Sequence, residues 1–505
     1  MMSVMVDVTP PLSDGASTTV AQETRSPSAS FLLGSLALLS TQPFTWGASV
    51  VSIALLPRYL GSRDLGTVSL AASIAQIVGI VATLGISTVI VRGAAAGHQA
   101  EHDVSAALNL MIVTSIVLTV VVGVGVTASG VTRTEAALTW LALIGISFTS
   151  VASVGLSRIL GQERFNTYAL AIACVSVTVS LLPLLVLVLG GSLIAASIPG
   201  VLVAALLLVA SIALAGVRIT RGGFDVGAWK RLARAGSPFL AINAVTWIYA
   251  DGTKILLRAL TGSSVLGWQA AAARVAGSIV FLPTLVSTPL LPALSRDVDD
   301  VAVFSRTLRH AFILVIGLVL PITGLMIAIA PYIPSRLGWS QDFGHAIVLI
   351  QIAAIEQPIV AIDIIIGVAC IALGKERRLF YNTMIAAASS VALHVALVPL
   401  FQHRYGNGAI GSGVARVATE VILMVLAIRL LPKKALGPTM ATAGMRILVA
   451  ALLLTAIAAW VAHRALFAAP IAGGAAYVIL LFVLRVVRPQ EAMTALASIR
   501  RRIHR

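Results

Sequence analysis

Apolar residues in this chain arrive in long runs separated by short polar breaks. The runs lie near residues 31–56, 67–91, 104–127, 135–157, 166–189, 192–216, 239–260, 266–291, 308–330, 344–371, 380–400, 409–431, 444–464 and 469–485. A membrane-crossing helix needs about 20 apolar residues, and all but the last run are longer than 20. The pattern predicts an all-α polytopic membrane protein of about 14 transmembrane helices, or 12 if one predicted pair fails to span. The pair over 166–216, split by Gly190-Gly191-Ser192, is the least sharply separated. Pro43 and Gly47 predict a kink in the first helix. Between the sixth and seventh runs, Trp229-Lys230-Arg231-Leu232-Ala233-Arg234 reads as a basic amphipathic helix lying at the membrane surface.

A shift of 201 residues aligns 45–87 with 246–288 without a gap, at 13 identities in 43 positions. Ala and Leu matches come easily in such a chain. The pair Thr45-Trp46 with Thr246-Trp247 carries more weight, as do Gly61-Ser62…Leu65-Gly66 with Gly262-Ser263…Leu266-Gly267. Six runs separate the copies, so both are expected to enter the membrane in the same direction. The predicted organisation is a Ser/Thr/Pro-rich disordered tail over 1–28, a first six-helix lobe over 29–217, the amphipathic linker over 218–237, a second six-helix lobe over 238–431, and two further helices with a basic tail over 432–505. The lobes should be parallel and enclose a central cavity opening alternately to the two sides.

Composition sharpens this picture. The chain of 505 residues is 58% hydrophobic and 11% charged, against about 25% charged in soluble domains. Its 35 basic and 19 acidic residues are too few to solvate a water-soluble protein of this size. The net charge of +16 suggests nucleic acid until the placement of Lys and Arg is counted. The tails and alternate breaks on one side hold 24, and the breaks on the other side hold 6. By the positive-inside rule both termini are expected in the cytoplasm, and the charge records orientation. The first run is too long for a signal-peptide core. Cys174 and Cys370 lie in apolar runs and make neither a disulfide framework nor a metal site. All external breaks are short, so no extramembrane catalytic domain is expected.

An ionisable side chain within a membrane costs roughly 2.5–3.5 kcal/mol on insertion scales. Eight lie well inside predicted helices, all in the second half: Asp251, Lys254 and Arg258 on the seventh, Arg274 on the eighth, Glu356 and Asp363 on the tenth, Arg416 and Glu420 on the twelfth. Arg416 and Glu420, four residues apart on one helix face, can pair with each other. Asp251, Lys254 and Arg258 also share a face, where two cations against one carboxylate leave an excess of positive charge. With Arg274 on the next helix, that excess suits an anion such as a phosphate or diphosphate, for which Arg offers bidentate donors. The opposing reading is internal ion pairing that holds the second half together. Asp251, Glu356, Asp363 and Glu420 are candidates for binding a coupling H⁺ or Na⁺, and no other cofactor is expected. His394, alone in an apolar stretch, reads as a hydrogen-bonded packing residue. Gly406-Asn407-Gly408-Ala409-Ile410-Gly411 fits the dinucleotide fingerprint, but at an external turn without a βαβ unit, so no nucleotide is expected there.

Four sets of residues carry a resemblance. They are Leu60-Gly61 through Leu65-Gly66 with Gly85 to Arg92; Trp229, Leu232, Gly236 and Pro238-Phe239 leading to Trp247-Ile248-Tyr249 and Asp251; Phe281-Leu282-Pro283 with Pro289, Pro292 and Ser295-Arg296; and Tyr405-Gly406, Gly411 and Glu420. In this order and spacing the chain resembles the bacterial polysaccharide transporter family of Wzx-type oligosaccharide flippases, within the multidrug/oligosaccharidyl-lipid/polysaccharide exporter superfamily. The resemblance implies a V-shaped, 14-helix transporter of the bacterial inner membrane and no enzymatic activity. It would move an undecaprenyl-diphosphate-linked oligosaccharide from the cytoplasmic to the periplasmic leaflet. It implies cavity cations on the diphosphate and sugar, for which Lys254, Arg258, Arg274 and Arg416 are the candidates by location. The implied partners are the lipid-linked glycan, the bilayer, and a polysaccharide polymerase with its export machinery; no nucleic acid is expected. Two alternatives share the fold: a cation-coupled multidrug antiporter, disfavoured by four cations and no acid on the first helix, and a lipid II flippase. A membrane glycosyltransferase is disfavoured by the short external breaks.

Overall fold

The computed structural model describes residues 27–95, 101–217, 225–277, 279, 281–432, 435 and 437–484. All but the last two residues of the expected N-terminal tail, the start of the linker at 218–224 and the basic tail over 485–505 lie outside the described residues.

Each expected run is helical, and no strand occurs among the described residues. The helices are α1 (Pro27–Tyr59), α2 (Ser62–Thr83), α3 (Ile86–Ala95), α4 (Glu101–Ala128), α5 (Arg133–Gly161), α6 (Phe165–Val188), α7 (Leu193–Ala215), α8 (Val226–Trp247), α9 (Thr253–Leu260), α10 (Ser263–Gly277), α11 (Phe281–Arg296), α12 (Val301–Ile329), α13 (Ile333–Arg336), α14 (Ala346–Ala372), α15 (Glu376–Tyr405), α16 (Gly408–Ile428), α17 (Pro438–Arg464) and α18 (Ala469–Val483). Among the described residues ten helices are long and apolar enough to cross a membrane, or eleven if α10 and α11 form one bent span. Many large apolar side chains face outward, including Leu206, Val209 and Leu452. A water-soluble protein rarely presents so much apolar surface; hydrocarbon is the solvent that suits it.

Three of the expected spans are interrupted, each for a local reason. The second run breaks at Leu84-Gly85, where φ is +49° and +69°. There the backbone packs so closely on Gly236 of α8 that a Cβ on either glycine would strike the other's chain. The eighth run breaks between α10 and α11 with a 41° bend. Pro283 lacks the N–H that would bond the carbonyl four residues back, and its ring crowds that carbonyl. The seventh run begins earlier than expected: the amphipathic stretch is continuous with α8 rather than separate from it. A π-helical turn over Ile248–Gly252 then interrupts it before α9. Such turns insert one residue into the helical register and often mark functional sites.

Apolar burial does little to hold helices together in lipid, where tails are as apolar as leucine; close packing and polar contacts do this instead. The largest buried cluster joins both halves of the chain, from Leu60 and Leu65 to Leu257, Leu266, Phe312 and Ile350. At its centre the two copies of the repeated turn meet. A Cβ on Gly66 would collide with the Ser263 carbonyl, and a Cβ on Gly267 with the Ser62 carbonyl. Residues 62 and 263 correspond under the 201-residue shift, as do 66 and 267. The contact is therefore reciprocal, as at a two-fold axis. Small residues here let α2 and α10 approach backbone to backbone. Nearby, Trp339 donates through Nε1 to the Ala54 carbonyl at 2.9 Å, and Ser62 hydrogen-bonds Asp342.

Candidate functional site

Six of the eight intramembrane ionisable residues find a partner among the described residues, and Arg274 and Asp363 do not. On the π turn, Asp251 is buried. It accepts from Lys254 Nζ at 2.7 Å and from Ser73 Oγ of α2 at 3.2 Å. Arg258 does not stack its charge with Lys254. It reaches the other half of the chain and donates through Nη2 to Glu135 Oε1 at 2.7 Å. Ser263 Oγ donates to the same oxygen at 3.0 Å. Arg416 pairs with Glu356 of α14, through Nη2 at 2.6 Å and Nε at 3.1 Å, and not with its helix neighbour Glu420. Glu420 instead accepts a hydrogen bond from Tyr249 of the π turn. The reason is geometric: α14 and α16 pack side by side, so Arg416 meets an almost fully buried carboxylate across the interface. Asp363 lies within interaction range of Glu420, with both oxygens buried and neither in hydrogen-bond geometry. His394 is buried; its Nδ1 lies 2.7 Å from the Ser390 carbonyl and its Nε2 lies 3.2 Å from Ser412 Oγ, the packing role expected of it.

The excess of cation read from the sequence is therefore mostly compensated. Lys254, Arg258 and Arg416 each hold a carboxylate while keeping about 30% of the side chain exposed (30%, 29% and 30%). Arg274 is the exception, with no ion pair or hydrogen bond among the described residues. It lies in the last turn of α10, just before the break, and lines a chamber of about 1310 Å³. Most of the wall comes from the first half of the chain, through α1, α2, α5, α6 and α7, closed on the other side by α10, α11 and α12. Lys254, Arg258 and Arg416 are not among its lining residues, so Arg274 is the one cation on its wall among the described residues. Drug-sized ligands occupy pockets of about 300–1,000 Å³, so the space admits something larger.

Sequence reading missed Glu135, Ser73 and Tyr249. Glu135 carries one local signal: Thr132-x-x-Glu135 is a capping box, in which each residue's side chain satisfies the other's backbone N–H at the start of α5. The box accounts for the acid without revealing its partner 123 residues away. Ser73 has no such signal, since a hydroxyl on a small-residue face looks like helix packing.

The Arg258–Glu135 pair distinguishes a latch from an anion site. Arg258→Ala leaves a buried carboxylate with three weaker donors, Ser263 Oγ, Thr132 N–H and Thr132 Oγ1, and is expected to cost about 2 kcal/mol, below the 3–5 kcal/mol of fully buried pairs because Arg258 is partly exposed. Glu135→Gln should reproduce the loss of thermal stability. If Glu135→Gln is silent while Arg258→Ala destabilises or stops function, the pair is not the reason for the arginine.

Comparison with known proteins places this geometry in context. Over 184 residues the chain is 27% identical to the Probable flippase AglR of Haloferax volcanii, covering 35% of this chain and 37% of that protein. The match thus spans little more than a third of the relative's length. Among solved structures, the fold is similar to the lipid II flippase MurJ in an inward closed conformation, with a TM-score of 0.73, 14% identity, and coverage of 90% of this chain and 98% of that one. It is also similar to an inward-facing multidrug resistance MATE family transporter of the MOP superfamily, at a TM-score of 0.53 and 16% identity, covering 82% of this chain and 98% of that one. At these identities the likeness concerns the fold alone. A family model described as polysaccharide biosynthesis protein matches residues 55–338, more than half of the chain and the stretch that holds the reciprocal glycine contact, the π turn and Arg274. This chain belongs to the polysaccharide biosynthesis protein family.

Proposed function

We propose that the chain is a flippase that moves an undecaprenyl-diphosphate-linked oligosaccharide from the cytoplasmic to the periplasmic leaflet for cell-surface polysaccharide synthesis. The observation that carries the reading is an unpaired guanidinium on the wall of a large chamber between the two halves of a membrane transporter fold. A charge at membrane depth without a counterion is costly, and a diphosphate offsets that cost with geometry suited to Arg. Family membership and the partial match to a probable flippase favour a lipid-linked glycan. The fold likeness by itself suits a lipid II flippase or a multidrug antiporter equally. A cationic wall disfavours the cationic drugs that an antiporter would carry.

In this reading both termini face the cytoplasm of a bacterial inner membrane, and the halves rock as two lobes about the substrate. Lys254, Arg258 and Arg416 exchange part of their carboxylate contacts for sugar or phosphate through their exposed sides. Asp363 and Glu420 are the acids best placed to take up a coupling H⁺ or Na⁺, since neither is held by a cation. Asp251 and Glu356 are already paired and serve positioning.

Export of surface glycan by cells carrying Arg274→Ala tests the reading. Because Arg274 holds no partner among the described residues, the variant is expected at wild-type level or above in the membrane, with export reduced at least tenfold. Arg274→Lys should recover part of it, a point charge replacing a fork. Normal export by Arg274→Ala removes the diphosphate site from this chamber.

A further inference from the structure

We infer that Val50 sets the charge selectivity of the chamber: it puts an apolar residue at the position that faces Arg274, where the other half of the chain carries a carboxylate, and so leaves the guanidinium to an anionic group on the cargo. The inference deepens the flippase reading and rests on it.

The two-fold relation between the repeated segments carries the inference. Under the 201-residue shift Ser73 corresponds to Arg274, and Val50 to Asp251. The relation holds in space as well as in sequence. The Gly66–Ser263 and Gly267–Ser62 contacts map onto each other. Each of these serines also hydrogen-bonds a carboxylate of the opposite half, Ser62 to Asp342 and Ser263 to Glu135. Those acids stand at the heads of the tenth and fourth apolar runs, again six runs apart.

Seven residues beyond the glycines, about two helical turns, the copies part company. In one, Ser73 of α2 donates to Asp251 at 3.2 Å. The two-fold counterpart of that contact sets Arg274 of α10 against residue 50 of α1, and α1 and α10 touch. Residue 50 is a valine, exposed and lining the same chamber as Arg274. Ile53 likewise stands where Lys254 grips Asp251 in the other copy. The first half thus lacks both members of the ion pair that the second half keeps. Gln76 and Ser52 also line the chamber without a partner among the described residues. They offer hydrogen bonds to a guanidinium or to a cargo, but no charge. A carboxylate at position 50 would neutralise Arg274 permanently and compete with a phosphate for the same N–H donors. Valine leaves that charge to be met by whatever enters, which favours anions over cations.

Full-length protein in detergent is to be titrated with undecaprenyl diphosphate as the probe, comparing Val50→Asp with Val50→Asn, which has the same shape without the charge. Val50→Asp is expected to weaken binding at least tenfold, and at least fivefold more than Val50→Asn. Thermal unfolding without ligand reads the facing relation directly. Val50→Asp should lower the melting temperature less in the wild-type background than in Arg274→Ala, where the new carboxylate has no cation. Should Val50→Asp fail to accumulate, Val50→Cys with Arg274→Cys is expected to cross-link through a short bifunctional thiol reagent. That experiment needs a Cys174→Ser background, because Cys174 is exposed. Equal loss of binding in the Asp and Asn variants overturns the inference, as do equal melting shifts in the two backgrounds or an absent cross-link. Binding that falls with Arg274→Ala but not with Val50→Asp overturns this inference alone. Binding that neither substitution alters removes the diphosphate site, and the flippase reading built on it falls too.

Discussion

Valine at Gly66 is expected to pry apart the contact between α2 and α10 and to leave that end of the molecule open. The added Cβ meets the Ser263 carbonyl, which belongs to the first turn of α10 and cannot swing aside as a side chain would. Overpacking a well-filled site costs about 1–3 kcal/mol. A backbone obstacle puts Gly66→Val at the upper end, roughly a hundredfold shift from closed to open. Gly267→Val should do the same against Ser62, and the double variant should be no worse than either single one, since one wedge suffices. Leu56 lines the chamber and is nearly buried, so a Leu56→Cys background reports the effect. Its maleimide labelling should be slow with both glycines present and at least tenfold faster with either valine. Unchanged labelling in both valine variants means that the reciprocal contact does not seal the chamber.

The second large effect concerns Glu356 and Arg416. Glu356 is almost fully buried, and Arg416 grips one of its oxygens twice. Removing one partner of a fully buried pair costs about 3–5 kcal/mol, because the other charge is left without compensation; Arg416 is as exposed as Arg258, which places this pair at or just below the lower end of that range. Arg416→Met and Glu356→Leu should therefore each lower thermal stability in detergent sharply. The double variant Glu356→Leu/Arg416→Met should regain most of it, since an apolar pair of similar volume is close to neutral. Equal instability of the double and the singles would remove the ion pair as the cause. Glycan export by the double variant answers a separate question: recovered stability with export still absent assigns the pair to transport as well as to folding.

The helices were legible because lipid imposes a simple code of long apolar runs; among the described residues the runs are helical, with ten or eleven of the helices long and apolar enough to span and three runs broken. What remained illegible depended on how the helices face one another. Arg416 and Glu420 satisfy the four-residue rule for pairing along a helix, yet each chose a partner on another element, Glu356 and Tyr249. Spacing along one helix says which residues share a face. It does not say which neighbour that face meets. The π turn left no trace in composition either, since no proline marks it; the extra residue is visible only as a change of phase between Trp247 and Thr253. By location along the chain Arg274 looks like the three other intramembrane cations, and only the positions of their acids single it out.

The reciprocal contact at Gly66 and Gly267 also bears on how this chain came about. Two copies of one surface that touch each other are what the subunits of a homodimer present across their axis. A chain made by fusing such subunits inherits that interface within a single polypeptide. A change at either turn then disturbs its own copy and the partner copy together, so the two turns are free to diverge only in step. The stretch in which the internal repeat is readable, 45–87 against 246–288, is also a stretch in which the halves touch, and physical contact between the copies gives a reason for their similarity there.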